Sequence, residues 1–254
     1  MSPQTISSDD IFRRHGFEII PSVFSAEEIR EWIKESERLV ANDPLKAHGI
    51  RNLFGKSLVF CHLAHHPNLK ALLQNRLRSP FLPVRAIFFN KLPEANWKVA
   101  WHQDLSIAVD RQLDVAGFGP WSIKDGVPHV QPPAEFLEQM VTVRVHLDDC
   151  TAENGALRVI PGSHQHGKIS SEKMEDIRNT APETTCVVKA GGVLMMRPLL
   201  LHASSPAIRP FHRRVIHIEY APSDLLPKGL KWHENLRNES FRPLFAWGHG
   251  SSCL

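Results

Sequence analysis

The residues best placed to do chemistry in this sequence are His102 and Asp104, together with His202 much further along the chain. Side chains of an extended strand point alternately to its two faces, so His102 and Asp104 can share one face of a strand. Two imidazoles and one carboxylate, with the remaining coordination positions open, form the facial triad that suits non-haem Fe(II) and oxygen chemistry. His202 completes this set only in a fold that returns the chain beside the first two residues. The sequence therefore predicts a three-ligand ferrous site.

A His-x-Asp triplet is by itself weak evidence, because a chain with 15 histidines contains such a triplet easily by chance. The alternative is a pair at a strand end that hydrogen-bonds to its neighbours. The metal site is favoured by what surrounds His202: an apolar run leads to it, a proline-containing loop follows, and Arg213 opens the next strand. A buried guanidinium needs a partner, and its fork matches a carboxylate. The far carboxylate of an iron-chelating 2-oxoglutarate has the required shape.

Several separated motifs resemble, in the same order, those of the phytanoyl-CoA dioxygenase family of Fe(II)/2-oxoglutarate-dependent oxygenases. They are His102-x-Asp104, the segment Asn154–His164 (NGALRVIPGSH), His202, Ser204 two residues beyond it and Arg213 eleven beyond it. The resemblance runs from about Ile11 to Tyr220. It implies a double-stranded β-helix (jelly-roll) core. It also implies oxidative decarboxylation of 2-oxoglutarate to succinate and CO2, with O2 as the oxidant, coupled to hydroxylation of a C–H bond.

The resemblance implies roles for individual residues as well. His102, Asp104 and His202 would hold the iron and form the catalytic centre. Arg213 would pair with the C5 carboxylate of 2-oxoglutarate, and Ser204 would add a hydrogen bond. In the related halogenases the carboxylate ligand is absent, which leaves a coordination position for chloride. Asp104 therefore favours hydroxylation over halogenation.

Three further residues are candidates for the co-substrate pocket. Gln103 points away from the ligands in an ideal strand, yet the resemblance suggests that it approaches the co-substrate. Arg144 and Ile87 fall where family members contribute pocket residues, although the side-chain types differ here. Arg214 is the alternative anchor if the strand register shifts by one residue, but the period of two places it on the opposite face.

The pattern of apolar residues predicts a mainly β protein with flanking helices, in one domain that spans residues 1–254. Helical spacing and a capping box at Ser25 and Glu28 predict helices within about residues 9–80, with another helix starting near Asn68. Strand-like segments predict the jelly-roll core at about 82–222, followed by a tail at 223–254. Within the core, residues 140–149 alternate, so their valines should share one inward face.

A long insertion with glycine, proline and aromatic residues spans about residues 110–133. A loop of this length inside a compact domain is usually functional or disordered, and its aromatic residues argue against disorder. We expect a lid or a substrate-selecting loop beside the iron, with Trp121 as a candidate substrate contact. The alternative is a surface excursion that only covers the end of the barrel.

Composition limits the other possibilities. A formal charge of +3 is too small to argue for a nucleic-acid or anionic-membrane partner. The four cysteines are scattered without a C-x-x-C pair, as expected for free thiols in a reducing compartment. With no apolar run long enough for a membrane span and no signal-peptide layout, we expect a cytoplasmic protein with a small-molecule substrate. The identity of that substrate and the oligomeric state stay open.

Three rival functions use the same residues differently. A zinc or nickel cupin-like enzyme could have the same three ligands, but Arg213 would then have no evident role. A non-enzymatic β-barrel would bind a small acid without decarboxylating 2-oxoglutarate. A nucleic-acid patch at Arg209, Arg213 and Arg214 is disfavoured because these arginines alternate with apolar strand positions and lack adjacent aromatic residues.

Overall fold

The computed structural model describes residues 8–42, 49–77, 80–92, 96–209 and 211–234. The helices are α1 (Ser8–His15), α2 (Ala26–Asn42), α3 (Leu58–Ala64), α4 (Pro67–Gln74), α5 (Ala134–Leu137) and α6 (Ser171–Thr180). The strands are β1 (Phe17–Ile20), β2 (Gly49–Arg51), β3 (Phe81–Lys91), β4 (Val99–His102), β5 (Ile107–Ala108), β6 (Trp121–Lys124), β7 (Val127–Val130), β8 (Val141–His146), β9 (Leu157–Val159), β10 (Thr184–Cys186), β11 (Val193–Met196), β12 (His202–Ser204) and β13 (Arg213–Pro222).

Two antiparallel sheets form the core. The larger sheet has the strand order β1-β11-β8-β13-β3-β2, and the smaller sheet has the order β10-β9-β12-β4. The chain crosses between the sheets several times, for example from β10 in the smaller sheet to β11 in the larger one. This architecture is the mainly β jelly roll that the sequence predicts. That prediction is confirmed.

The N-terminal helices cover the outer face of the larger sheet. The predicted capping box starts α2: the Ser25 hydroxyl accepts from the Glu28 amide at 3.3 Å, and the Glu28 carboxylate accepts from the Ser25 amide at 2.8 Å. Ile29 and Trp32 then bury the apolar side of α2 against the sheet. The predicted helix near Asn68 is α4, whereas the short helix α3 before it was not predicted.

The alternating strand β8 is buried on both faces. Val141, Val143 and Val145 belong to the hydrophobic cluster that the sheet shares with the helices, so the predicted core strand is confirmed. Because side chains alternate along a strand, Arg144 and His146 point to the other side, between the two sheets. The space between the sheets is therefore partly polar.

The insertion is an ordered hairpin. Strands β6 and β7 pair through a tight turn at Asp125 and Gly126, whose φ angles are +50° and +78°, and β7 also pairs with β5. Both positive φ angles match a hairpin turn that follows the natural twist of its strands. The expectation that this segment is not disordered is confirmed.

The C-terminal segment packs on the core as far as it is described. Trp232 is buried in the cluster beneath the hairpin and bridges to Val109. Cys61, Cys150 and Cys186 are buried free thiols, as predicted, while Cys253 lies outside the described residues. In the part of the chain that the structure describes, no helix combines the length and the apolar character needed to span a membrane.

Candidate metal centre and co-substrate pocket

The smaller sheet brings the three predicted ligands together. His102 ends β4 and His202 begins β12, and the two residues are direct partners across these antiparallel strands. Their imidazole rings lie 4.1 Å apart between centroids. Asp104 follows His102 by two residues, and its amide is fixed by the Pro198 carbonyl at 2.9 Å. The chain return that the sequence requires is thus supplied by strand pairing.

The ligand atoms converge on one point. One side-chain donor atom each from His102, Asp104 and His202 lie within 4.8 Å of one another, which is compatible with a shared metal ion. The distances are 3.9 Å from His102 Nε2 to Asp104 Oδ1 and 3.7 Å from His202 Nε2 to Asp104 Oδ2. Each Nδ1 lies 2.8 Å from a backbone carbonyl, of Ala100 and of Leu200. Both histidines can therefore donate from Nδ1 and keep the Nε2 lone pair for a metal.

The protonation states also suit a metal. Burial alone would raise the pKa of the Asp104 carboxyl, but the charges of His202, His217, His102 and Arg85 hold this pKa below its usual value. Burial lowers the pKa of His202 to about 4, against the opposite effect of Asp104. Near neutral pH the site thus offers a carboxylate and a neutral imidazole, the forms that bind divalent metals.

One unpaired atom indicates that the site needs a cation. Oδ2 of Asp104 is buried and has no hydrogen-bond partner within the described residues. A buried charged oxygen without a donor is costly unless a cation reaches it. Together with the Nε2 atoms of the two histidines, this carboxylate forms a set of two imidazoles and one carboxylate, which fits ferrous iron with open positions for further ligands.

A second group of buried cations lies between the sheets. Arg213 on β13 and Lys91 on β3 are direct cross-strand partners, and both are almost fully buried. Arg213 donates to the Gly155 carbonyl, which also accepts from the Ser204 hydroxyl at 2.9 Å. Lys91 Nζ donates to Ser204 Oγ at 2.9 Å. Ser204, in turn, is two residues beyond the ligand His202.

This group carries positive charge without a matching anion. Within the described part of the chain, Lys91, Arg144 and Arg213 hydrogen-bond to neutral groups, and Nε of both arginines has no partner. Like charges directly opposite each other on neighbouring strands are destabilising. Burial and the Arg213 charge lower the pKa of Lys91 to about 8, as expected for an ammonium without a counter-ion. The residues present therefore fit a dianionic ligand such as 2-oxoglutarate.

A charged network continues from Arg144 along the same strands. Arg144 Nη1 lies 3.0 Å from His217 Nδ1, His217 Nε2 lies 3.3 Å from Glu219, and Arg85 pairs with Glu219 at 2.5 Å. His217 and Arg85 line the cavity next to the metal ligands. Burial lowers the pKa of Arg144 to about 10, with the Arg213 charge as the second cause.

Two of the remaining candidates are held by other partners, although Gln103 also lines the cavity beside the metal ligands. The Gln103 side chain is held by backbone groups: its amide donates to the carbonyls of Gly167 and Leu199, and its oxygen accepts from the Ile169 amide. Arg214 pairs with Asp148 at 2.8 Å and with Glu37 at 3.0 Å, on the face of β13 opposite to Arg213.

The other two candidates lie on different sides of the site. Ile87 lines the cavity beside the metal ligands. Trp121 is half-buried among the apolar residues under the hairpin and is not among the residues that line this cavity. The same hairpin instead brings Lys124 and His129 to the cavity wall.

Sequence reasoning missed Lys91, His217 and Lys124. The spacing of two residues from Ile87 through Phe89 to Lys91, and from Arg213 through Val215 to His217, would have placed Lys91 and His217 on the strand faces that point between the sheets. For Lys124 the sequence contains no such signal, because its position depends on where the hairpin folds over the core.

The arrangement so far defines a class of protein, a jelly roll with a two-histidine, one-carboxylate metal centre beside a cationic pocket. The sequence also matches the profile of the family described as "Phytanoyl-CoA dioxygenase (PhyH)" over residues 12–215. The chain belongs to the phytanoyl-CoA dioxygenase family of Fe(II)/2-oxoglutarate-dependent oxygenases. It is accordingly an oxygenase of the kind that uses iron, 2-oxoglutarate and O2, and its three converging ligands fit that metal.

Individual relatives agree with this placement. An ectoine dioxygenase of Nocardia farcinica is 24% identical over 245 residues, which cover 82% of this chain and 75% of the relative. The crystal structure of HygX from Streptomyces hygroscopicus with nickel and 2-oxoglutarate bound has a TM-score of 0.63 at 23% identity, covering 84% of this chain and 85% of HygX. SnoK, a carbocyclase from nogalamycin biosynthesis, has a TM-score of 0.68 at 15% identity, covering 92% of this chain and 88% of SnoK. The structural similarities concern the fold.

Proposed function

We propose that this protein hydroxylates a C–H bond of a small molecule while converting 2-oxoglutarate to succinate and CO2. The observation that carries the proposal is the convergence of His102, Asp104 and His202 within 4.8 Å, with both Nε2 atoms directed at the acid. A small-molecule substrate is supported by the relatives that are named for ectoine. The retained carboxylate of Asp104 favours hydroxylation over halogenation.

Each residue has a separate task in this proposal. His102, Asp104 and His202 would hold the iron, and the first two also line the cavity. Arg213 and Lys91 bind the far carboxylate of 2-oxoglutarate, with Ser204 as a hydrogen-bond donor. When bound, iron, 2-oxoglutarate and O2 together supply the oxidising power, and the surrounding chain supplies orientation and shelter from water.

Neighbouring residues keep this geometry in place. Arg144 lies near Arg213 and adds positive charge next to the co-substrate, while His217 and Glu219 hold Arg144 and Arg85 in fixed positions. Ile87 and Phe89 contribute an apolar wall to the cavity. A wall of this kind limits the access of water to the reacting atoms.

The test is the formation of succinate from 2-oxoglutarate by the purified protein. We expect it to require both Fe(II) and O2, and we expect Asp104→Ala to reduce it to the background without protein. Metal binding, measured by equilibrium titration, should weaken in the same variant because a charged ligand is lost. Asp110→Asn, a change of a nearby aspartate outside the site, is the control.

Two results would contradict the proposal. One is wild-type turnover by the Asp104→Ala protein. The other is equal turnover with zinc or nickel in place of iron, which would point to the cupin-like alternative. Binding of 2-oxoglutarate with no succinate under any metal would indicate a binding protein instead.

A further inference from the structure

The cavity beside the metal ligands has a positively charged mouth. It has a volume of about 270 Å³, and the cations along its wall are Arg51, Arg85 and Lys124. Arg51 on β2 and Lys124 on the hairpin are exposed, so they mark the opening, whereas Arg85 lies deeper. The carboxylate that lines the cavity is Asp104, which is assigned to iron. A cleft with an excess of one charge concentrates ligands of the opposite sign.

Two of these three cations already have an anionic partner. Arg85 pairs with Glu219 at 2.5 Å, and Arg51 pairs with Asp125 at 3.3 Å. Lys124 instead donates from Nζ to the Ser106 hydroxyl at 3.1 Å, a neutral partner. Among the residues that the structure describes, no carboxylate lies within ion-pair distance of Lys124. The unbalanced charge of the mouth therefore resides on this side chain.

The surroundings of Lys124 support this assignment. Partial desolvation of its ammonium group and the charges of Arg85 and Arg51 lower the pKa of Lys124, against the opposite effect of Asp104 and Glu219. An ammonium held near two guanidinium groups gains from any anion that enters between them. The geometry, with Lys124 and Arg51 at the opening and Arg85 deeper in the cavity, gives such an anion more than one donor.

The co-substrate does not explain this charge. The cations proposed for 2-oxoglutarate, Lys91 and Arg213, lie beside Ser204 and do not line the cavity. The far carboxylate of 2-oxoglutarate is thus balanced at a different place, and its other carboxylate would be balanced by the iron. The positive charge at the cavity mouth is therefore available to the other molecule that must enter, the substrate to be oxidised.

We propose that the prime substrate carries an acidic group, a carboxylate or a phosphate, which binds Lys124 at the cavity mouth with Arg51 beside it. This inference rests on the proposed oxygenase function and names the chemical class of its substrate. The acidic group at the mouth directs the other end of the molecule inward, towards His102 and Asp104. The hairpin that carries Lys124 is therefore a substrate-selecting element.

The experiment compares three pools of small metabolites: carboxylic acids, phosphate monoesters, and neutral amides and alcohols of matching size. Each pool is added to the enzyme loaded with Fe(II) and 2-oxoglutarate. Two responses are measured, the melting temperature without oxygen and the release of succinate with oxygen. We expect responses to the acids or to the phosphate esters, and the pool that responds identifies the acidic group.

Variants then assign the binding to Lys124. For the best member of the responding pool, Lys124→Gln should raise KM about ten- to hundredfold and leave kcat within about twofold, because one charge-assisted hydrogen bond is lost. Lys189→Gln, a change of an exposed lysine outside the cavity, should leave KM unchanged. Asp125→Asn removes the anionic partner of Arg51, so the KM of this variant should stay the same or fall. If the hairpin had a purely structural role, the same substitution should raise KM.

Several outcomes would overturn the inference. They are equal responses to the neutral pool, a KM within twofold of wild type in Lys124→Gln, and no response to either acidic pool from an enzyme that binds 2-oxoglutarate. If the wild-type protein with iron neither binds 2-oxoglutarate nor forms succinate from it, the proposed function itself fails. The two failures are therefore distinguishable.

Discussion

Both histidine ligands are oriented by the backbone of their own strands. His102 and His202 each place Nδ1 2.8 Å from the carbonyl of the residue two positions earlier. This contact fixes the ring and leaves Nε2 directed at Asp104. Because the orientation is local, little reorganisation is required when a metal binds.

Lys91 is the residue whose environment most clearly requires a ligand. It is 1% exposed, lies opposite Arg213 across the strands, and contacts Gly155 so closely that a Cβ there would lie 2.8 Å from its Nζ. A buried lysine without a counter-ion is costly, and the cost is removed when a carboxylate binds. The charge of Lys91 should therefore increase the affinity of the protein for 2-oxoglutarate.

We expect Lys91→Met to weaken 2-oxoglutarate binding about ten- to hundredfold, because a charge-assisted contact is lost. The affinity of the wild type should be constant below about pH 8 and fall above it, since Lys91 has a pKa of about 8 and loses its proton there. The variant should not show this fall. Equilibrium binding to metal-loaded protein without oxygen measures both effects.

The control ligand is 2-oxopentanoate, in which a methyl group replaces the far carboxylate. Its affinity should change less than twofold in Lys91→Met, and Lys189→Met should affect neither ligand. An equal loss for both ligands would mean that Lys91 only supports the turn at Ser204 and Ser205.

At the scale of elements, the site depends on strands that are buried on both faces. One face of β13 carries Ile216 and Ile218 against the helices, while the other carries Arg213, His217 and Glu219 between the sheets. The apolar face fixes the strand in the core, and the polar face is then free to be specialised for ligands. The same division holds for β8.

Gln103 links β4 to two other segments. Its side chain is 6% exposed and makes hydrogen bonds of 2.7 to 2.9 Å with Gly167, Leu199 and Ile169. Gln103→Leu would leave these backbone groups buried without partners. We expect a loss of about 2–4 kcal/mol in the free energy of unfolding, measured with chemical denaturant.

Gln139→Leu is the matched control, since Gln139 is exposed and its side chain donates to one carbonyl within a single helical turn. It should change stability by less than about 0.5 kcal/mol. If Gln103→Leu were equally harmless but lowered the affinity for 2-oxoglutarate, Gln103 would act as the co-substrate contact that the resemblance implies.

At the scale of the whole molecule, the segment after the last core strand adds a buried carboxyl group. Glu234 accepts a hydrogen bond from the Phe54 amide at 3.2 Å, and its other oxygen is buried without a partner among the described residues. Burial raises the pKa of Glu234 to about 7, although the Phe54 amide and the charge of Arg85 oppose this effect. A carboxyl of this kind stabilises the fold only in its protonated form.

Stability should therefore depend on pH through Glu234. The folded protein binds its proton more tightly than the unfolded chain, so this contribution is complete below about pH 4.5 and is lost as the pH rises through 7. Glu234→Gln should raise the free energy of unfolding by about 1–3 kcal/mol at pH 8 and have little effect at pH 5. Thermal and denaturant unfolding at both pH values measure this change in the free energy of unfolding.

Glu175→Gln, at an exposed position of α6, is the control and should show no such difference between the two pH values. Destabilisation of Glu234→Gln at pH 8 would mean that the carboxylate is paired in the folded protein, contrary to its unpaired oxygen in the structure.

The sequence by itself determined the parts that depend on local rules. A spacing of two residues put His102 and Asp104 together, and a capping box and an apolar stripe set the helix α2. The order of motifs indicated the jelly roll and its family. These features need no knowledge of which strands are neighbours.

Only the tertiary structure decided which side chains meet across strands. The facing of Lys91 and Arg213, the network from Arg144 to Arg85, and the arrival of Lys124 at the cavity all depend on register and on the path of the hairpin. Alternation in a sequence separates the two faces of a strand, but when both faces are buried it does not say which one lies against helices and which one encloses the site. That choice follows from the packing of the whole chain.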